Sequence, residues 1–241
     1  FAVKALIGHT GFVGSNIKDQ TKFDDLYNSK TIENIHNKEY DLIVCAGVKS
    51  VKWIANKNPR QDFQDIQNLI NSINKVKFKK FVLISTIAVY DNPADNPYGQ
   101  NRLYLETYLK NNYDNIFIVR LPALFGKGLK KNAIYDLLHE QSDYLPNSNS
   151  EFQYYCLDNI WKDINTALSN DIKTLNISTE PVKFCDIIKL FKGNIKQNNE
   201  KPITIENMIS SHSNLWNKTG RYLYSSKEVL TELKEFIKKY E

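Results

Sequence analysis

A glycine turn set directly behind an apolar run narrows the possible folds of this chain more than any other feature. Phe1 to Ile7 is apolar and ends in glycine, as a buried parallel strand feeding a tight turn does. Gly8-His9-Thr10-Gly11-Phe12-Val13-Gly14 follows at once and opens a helix, and that context separates a working glycine pattern from a chance one. The first glycine permits the sharp turn, the second lets backbone N–H groups approach a pyrophosphate, and the third lets helix and strand pack closely. The helix N-terminus then holds the phosphates. The bland alternative, a glycine-rich turn with no ligand, is weighed down by the alternation that follows.

Three further apolar runs, Asp41 to Cys45, Phe81 to Ser85 and Ile116 to Val119, read as strands separated by segments of helical period. The clearest helix begins after Asn58-Pro59, where Phe63, Ile66, Leu69, Ile70, Ile73 and Val76 form one apolar stripe. A weaker strand is predicted at Asp25 to Asn28. Such alternation predicts an α/β fold, a Rossmann-type doubly wound parallel sheet. Beyond Phe125 the elements shorten: helices near Asn132 to Glu140, after Asp158 and around Phe184 to Phe191, and a strand near Leu175 to Ile177. The predicted division is a dinucleotide-binding domain over 1–125 and a small C-terminal α/β substrate lobe over 126–241, part of which is free to return to the main sheet. Lys227 to Tyr240 carries Val229, Leu230, Leu233, Phe236, Ile237 and Tyr240 on one face, so it docks as a last helix.

Composition excludes several classes. At 241 residues, 41% hydrophobic and 24% charged, the chain has material for a proper core but no apolar run of bilayer length. No charged-then-apolar leader is seen, which points to the cytoplasm; Phe1 in place of an initiator methionine reads as a processed or tagged end. The net charge of +5 is spread along the chain rather than concentrated, so neither nucleic acid nor membrane is an expected partner. Cys45, Cys156 and Cys185 lie far apart, and His9, His36, His139 and His212 lack metal-ligand spacing, so no metal site is expected.

Ser85-Thr86-Ile87-Ala88-Val89-Tyr90 closes the fourth strand, and Tyr98-Gly99-Gln100-Asn101-Arg102-Leu103-Tyr104-Leu105-Glu106 follows. With the glycine turn, these segments resemble the extended short-chain dehydrogenase/reductase family, also called the NAD-dependent epimerase/dehydratase family, which acts mainly on nucleotide-activated sugars. Asp41 to Gly47, Asn58-Pro59, Arg120 to Gly128, Phe152 to Ile160 and Leu175 to Ile188 are similar to further family segments, so the resemblance spans nearly the whole chain.

The resemblance implies that Tyr98 is the general acid/base and Thr86 the hydroxyl that bonds substrate and tyrosine. A free tyrosine has a pKa of about 10, so proton transfer at neutral pH needs a neighbouring cation. On a helix Tyr98 and Arg102 stand four apart on one face, which sets the cation beside the phenol and near a bound ribose. Arg102 replaces the family's lysine, keeping a positive charge but with a bulkier planar group. The segment between Thr86 and Tyr98 is shorter than in relatives, and Ala123 stands where many of them carry asparagine. Ile87-Ala88 replaces the Asp-Glu pair of the family's dehydratases, which disfavours dehydration and leaves keto-sugar reduction or epimerisation. The alternative is a sensor or partner protein that binds a dinucleotide on the same fold without efficient catalysis.

Cofactor choice is read about 20 residues beyond the motif, at Asn28-Ser29-Lys30. With no acid at the strand end and a serine and a lysine at hand, the window favours NADP; NAD held through Asn28, with Lys30 solvated, is the alternative. The candidate cofactor set is therefore Gly8, Thr10, Gly11, Phe12, Val13, Gly14, Asn28, Ser29, Lys30, Tyr98 and Arg102. Ala46 and Gly47, where the third strand ends, and Pro122, beside the nicotinamide by resemblance, complete it. Lys49, Trp53, Thr86 and Ala123 are candidate substrate residues, for a nucleotide-activated sugar used in polysaccharide synthesis. The resemblance also implies a possible homodimer through the two helices after strands three and four.

Overall fold

A computed structural model describes residues 2–193, 195–197 and 199–240; Phe1, the first residue of the predicted opening strand, lies outside them. In chain order the elements are β1 (Lys4–Ile7), α1 (Phe12–Gln20), β2 (Asp25–Tyr27), β3 (Glu39–Cys45), α2 (Lys52–Lys57), α3 (Pro59–Ile73), β4 (Lys77–Thr86), α4 (Pro97–Asn112), β5 (Ile116–Leu121), β6 (Ala123–Phe125), α5 (Ala133–Leu138), β7 (Glu151–Phe152), β8 (Tyr154–Cys156), α6 (Ile160–Ser169), β9 (Thr174–Asn176), β10 (Val182–Lys183), α7 (Phe184–Ile188) and α8 (Ser226–Tyr240). Short 3-10 turns fill several connections, among them Ile87–Tyr90 behind β4.

The chain forms two compact units. The first runs to Arg120 and takes in Ile160–Leu175; the second holds Leu121–Asn159 and the residues from Asn176 on. In the first, a six-stranded sheet has the order β2-β1-β3-β4-β5-β9, and the pairings β1–β2, β1–β3 and β3–β4 are parallel. Alternate strand residues Ala5 and Ile7, Ile43 and Cys45, Phe81 and Leu83, Ile116 and Ile118 meet Ile66, Ile70 and Ile73 of α3 and Leu105 and Leu109 of α4 in one core. Their neighbours Leu6, Val44, Val82 and Phe117 are buried on the other face of the sheet, and α1 packs beside α6. A sheet buried on both faces explains why these strands read as unbroken apolar runs.

The order places β2 on one side of β1 and β3 on the other. The chain therefore reverses direction across the sheet between β1 and β3, and a doubly wound sheet binds its ligands in the crevice beyond the strand ends at such a point. The glycine turn after β1 and Ala46-Gly47 after β3 both stand there.

One strand is longer than its apolar run. β4 begins at Lys77, four residues before Phe81, because Lys77-Phe78-Lys79-Lys80 continues the ladder with Glu39, Tyr40 and Leu42 while Lys79 pairs with Asp41 at 2.6 Å. Lysines at a solvated sheet end hide a strand from a hydropathy pattern.

In the second unit β6 pairs with β8 in parallel and β10 with β7 antiparallel. Val229, Leu233 and Ile237 make the buried stripe of α8. Its start is a reciprocal cap: Glu228 N–H donates to Ser225 Oγ at 3.3 Å, and Ser225 N–H donates to the Glu228 carboxylate at 2.7 Å. Among the described residues no helix is long and apolar enough to cross a membrane, and no group of three His, Cys, Asp or Glu gathers as a metal site.

Candidate active site

The glycines of the turn do different physical work. Gly8 has φ +86°, and a Cβ on it would run into the Ala46 carbonyl; a Cβ on Gly14 would run into the Gly8 carbonyl. Both are demanded by the packing of β1, β3 and α1. Gly11 is different. Its backbone is ordinary (φ −76°, ψ 171°) and an added Cβ would meet nothing nearer than the Gly8 oxygen at 3.4 Å. The protein itself leaves room for a side chain there. No side chain caps α1 and its first turn carries no acid, which leaves the first backbone N–H groups available to an anion. Gly8 and His9 N–H groups donate to the Tyr27 carbonyl at 2.7 and 3.3 Å, which fixes the turn against the end of β2.

Asn28 follows directly. Its Oδ1 accepts from Lys30 N–H at 2.9 Å and its own N–H donates to Thr31 Oγ1 at 3.0 Å, a local turn that leaves Ser29 and Lys30 exposed. Thr10 and Gly11 are exposed, Phe12 and Val13 half-buried. The cluster fits a dinucleotide pyrophosphate at Gly11 and the head of α1, and a charged or hydroxylated ribose at Ser29 and Lys30.

The second cluster is built on α4. Pro97 starts the helix, and Asn96 before it donates to the Ala88 carbonyl at 3.2 Å and to Asp91 at 2.8 Å, pinning the short segment after β4. A Cβ on Gly99 would strike the Ala88 carbonyl, so α4 lies close against that segment. This brings Tyr98 into reach of the Thr86 hydroxyl, a hydrogen-bond partner that favours the phenolate. Tyr98 N–H donates to Asn56 Oδ1 at 2.8 Å, and Ala55, Ala88 and Tyr98 pack as a small buried cluster.

Arg102 stands where the four-residue spacing puts it, with its guanidinium carbon 3.8 Å from the centre of the Tyr98 ring. Its other contacts lie outside any sequence pattern. Nη1 donates to Asp62 and to the Tyr98 carbonyl at 3.3 Å; Nη2 donates to the other Asp62 oxygen at 2.9 Å and to the Lys49 carbonyl. Asn101 adds a bond to Asp62 at 2.7 Å. Arg102 is 3% exposed and Asp62 7%, so this is a buried, two-pronged ion pair. Only the Nε–H of Arg102 finds no acceptor among the described residues.

Burial pushes the Tyr98 phenol above its ordinary value. The Arg102 charge pulls it back, the Asp62 charge pushes it up again, and the Thr86 bond lowers it, with the net direction upward.

One turn further along α4, Glu106 is 1% exposed and binds the opposite way, accepting from Arg120 Nε at 3.0 Å and Nη2 at 2.5 Å and from Ser85 Oγ at 2.6 Å. Arg120 Nη1 donates to Tyr90 Oη at 2.6 Å. This pair locks α4 to β4 and β5 behind Thr86.

Of the substrate candidates, Lys49 pairs with Asp65 at 2.7 Å, and Trp53 is exposed on α2. Pro122 and Ala123 belong to the second unit. Sequence reading missed Asp62, Asn56 and Glu106. Asp62 has a sequence signal of another kind, an acid in the first turn of α3 that suits the helix dipole, but nothing in that signal points to Arg102.

No protein-family model and no curated protein matches the sequence. Solved structures do. RMD from Pseudomonas aeruginosa complexed with NADPH is 15% identical, with a TM-score of 0.75 over 99% of each chain. UDP-N-acetylglucosamine 4-epimerase from Methanobrevibacter ruminantium M1, in complex with UDP-N-acetylmuramic acid, is 14% identical with a TM-score of 0.73, covering 98% of this chain and 97% of that one. dTDP-4-dehydrorhamnose reductase from Bacillus anthracis, in complex with NADP, is 16% identical with a TM-score of 0.71 over 99% of each. At such identities the likeness is one of fold: the chain has the Rossmann-like α/β fold of these sugar-nucleotide epimerases and reductases.

Proposed function

We propose that the protein is an NADP(H)-dependent enzyme acting on a nucleotide-activated sugar, as a keto-sugar reductase or an epimerase. The observation that carries this is Gly11, a glycine which neither backbone conformation nor packing requires and which stands at the head of α1, at the reversal point of the sheet. A group with no Cβ at that place leaves room for a pyrophosphate. The neighbours of like fold bound to NADPH, NADP and a UDP-sugar support the same ligands here.

In this reading Gly11, Phe12, Val13 and Gly14 hold the pyrophosphate, Ala46 and Gly47 border it, and Ser29 and Lys30 receive the phosphate on the adenosine ribose. Bound there, the dinucleotide supplies or accepts a hydride. Tyr98 Oη gives or takes the proton at the reacting sugar oxygen, with the Thr86 hydroxyl orienting both. Lys49 and Trp53, after β3 and on α2, are the residues proposed to meet the sugar nucleotide, whose proposed use in polysaccharide synthesis rests on the family resemblance alone.

The test is binding followed by turnover. NADPH binding followed by nucleotide fluorescence should be tighter than NADH binding, and Lys30→Glu should reverse that order. Across a panel of UDP- and dTDP-linked sugars, Tyr98→Phe should abolish turnover while binding persists. Failure of the wild type to bind either dinucleotide would sink the reading. A second reading, a dinucleotide sensor, draws on one observation: the Arg102 terminal N–H groups are all bound to protein acceptors. Turnover of any sugar nucleotide by the wild type removes it.

A further inference from the structure

Arg102 is arranged unlike a cation presented to a ligand. Its four terminal N–H groups are spent on Asp62, the Lys49 carbonyl and the Tyr98 carbonyl. The carboxylate facing it is nearly as deeply buried as the guanidinium, which lies over the phenol ring, so water does little to screen either charge from Tyr98. Seen from Tyr98, the Asp62 charge opposes that of Arg102 and offsets part of it.

We propose that Asp62 is a positioning residue, which holds the Arg102 guanidinium over the Tyr98 ring and offsets part of its charge there, so that the phenol is kept as a proton donor. The inference rests on the reading of Tyr98 as acid/base and deepens it by naming the residue that governs its protonation. A tyrosine that enters protonated suits a sugar bearing a carbonyl group. Tyr98 Oη would give its proton to the carbonyl oxygen, a reduced nicotinamide held at the glycine turn would supply the hydride to the carbon, and the phenolate would take back a proton from water.

The charges around the phenol are few. Arg102 on its own helix and Asp62 on α3 are the two that act on it. On α2, Lys52 is tied to Asp91 at 2.8 Å and Lys57 is exposed in the last turn; Lys49, after β3, is tied to Asp65. β4 contributes the neutral hydroxyl of Thr86. No other cation is placed to take over the role of Arg102 among the described residues.

The test reads Tyr98 directly, by carbon NMR of protein labelled at the tyrosine ring carbon that bears the hydroxyl. The Tyr98 resonance is the one lost in Tyr98→Phe. In the wild type it should titrate at or above the ordinary midpoint of about 10. In Asp62→Asn, which keeps the shape of the pair and removes its negative charge, the midpoint should fall by about 1 pH unit or more. A wild-type phenol already ionised below pH about 8 overturns the proposal, as does a midpoint in Asp62→Asn that stays still or rises; lost thermal stability with an unmoved midpoint would make Asp62 a structural residue. If Asp62→Asn does not fold, the wild-type titration decides by itself. NADPH binding measured on the same samples separates the two claims. Absence of binding removes the proposed function, while the titration still decides the role of Asp62.

Discussion

The glycine turn after β1 and the start of α4 are the two halves of the candidate site, and they are made from different materials. The turn works through backbone: a positive φ at Gly8, contact of α1 with β1 at Gly14, and open N–H groups beside Gly11. The start of α4 works through side-chain charge, and there the outcome hangs on Asp62, forty residues away in sequence. Backbone-built sites are fixed by local residue type, whereas charge-built sites are fixed by what the fold brings alongside.

The comparison can be broken at either half. Asp62→Ala should have the largest effect, because it strands a buried guanidinium: about 3–5 kcal/mol of stability lost in a denaturant titration. A loss near zero would mean that the pair is wet and the contrast with the turn is false. Gly14→Ala should follow, with about 3 kcal/mol lost to the overlap with the Gly8 carbonyl, read the same way. Gly11→Ala sharpens the contrast, since its stability should change by no more than about 0.5 kcal/mol while NADPH binding weakens by about tenfold or more. Equal damage to folding by the Gly11 and Gly14 variants would dissolve the distinction between structural and ligand-facing glycines.

The smallest effect is one of pH. Tyr98 has a raised pKa in the folded state, first through burial and then through Asp62. The folded protein therefore holds this proton more tightly than the unfolded chain does, and the stability tied to it is fully present below the unfolded value of about 10 and is lost as pH rises through the folded one. Tyr98→Phe should accordingly lose less stability than the wild type between pH 9 and 11, measured by thermal unfolding. An identical slope in the two proteins would leave the phenol out of the linkage.

The fold was legible wherever burial imposed a pattern. The apolar runs at β3, β4 and β5 and the stripe of α3 read directly because both faces of the sheet and one face of the helix exclude water. The solvated end of β4 did not, since lysines there satisfy the ladder and the solvent at once. The cap of α8 is written in the sequence as Ser225 followed by Glu228 three residues later, a short-range device that residue spacing alone reveals. In the site, the four-residue spacing of Tyr98 and Arg102 places the two correctly, yet says nothing about where the guanidinium spends its hydrogen bonds.

By itself the sequence determined the turn, the alternation of strands and helices, and the presence of a tyrosine with a cation one helical turn beyond it. All of these follow from steric and periodic rules that act over a few residues. Only the tertiary structure decided that α3 sets Asp62 against Arg102 and that Glu106 turns the other way to Arg120. A charge acts through space and not along the chain, so its effect on Tyr98 is fixed only once α3, α4 and the sheet are packed.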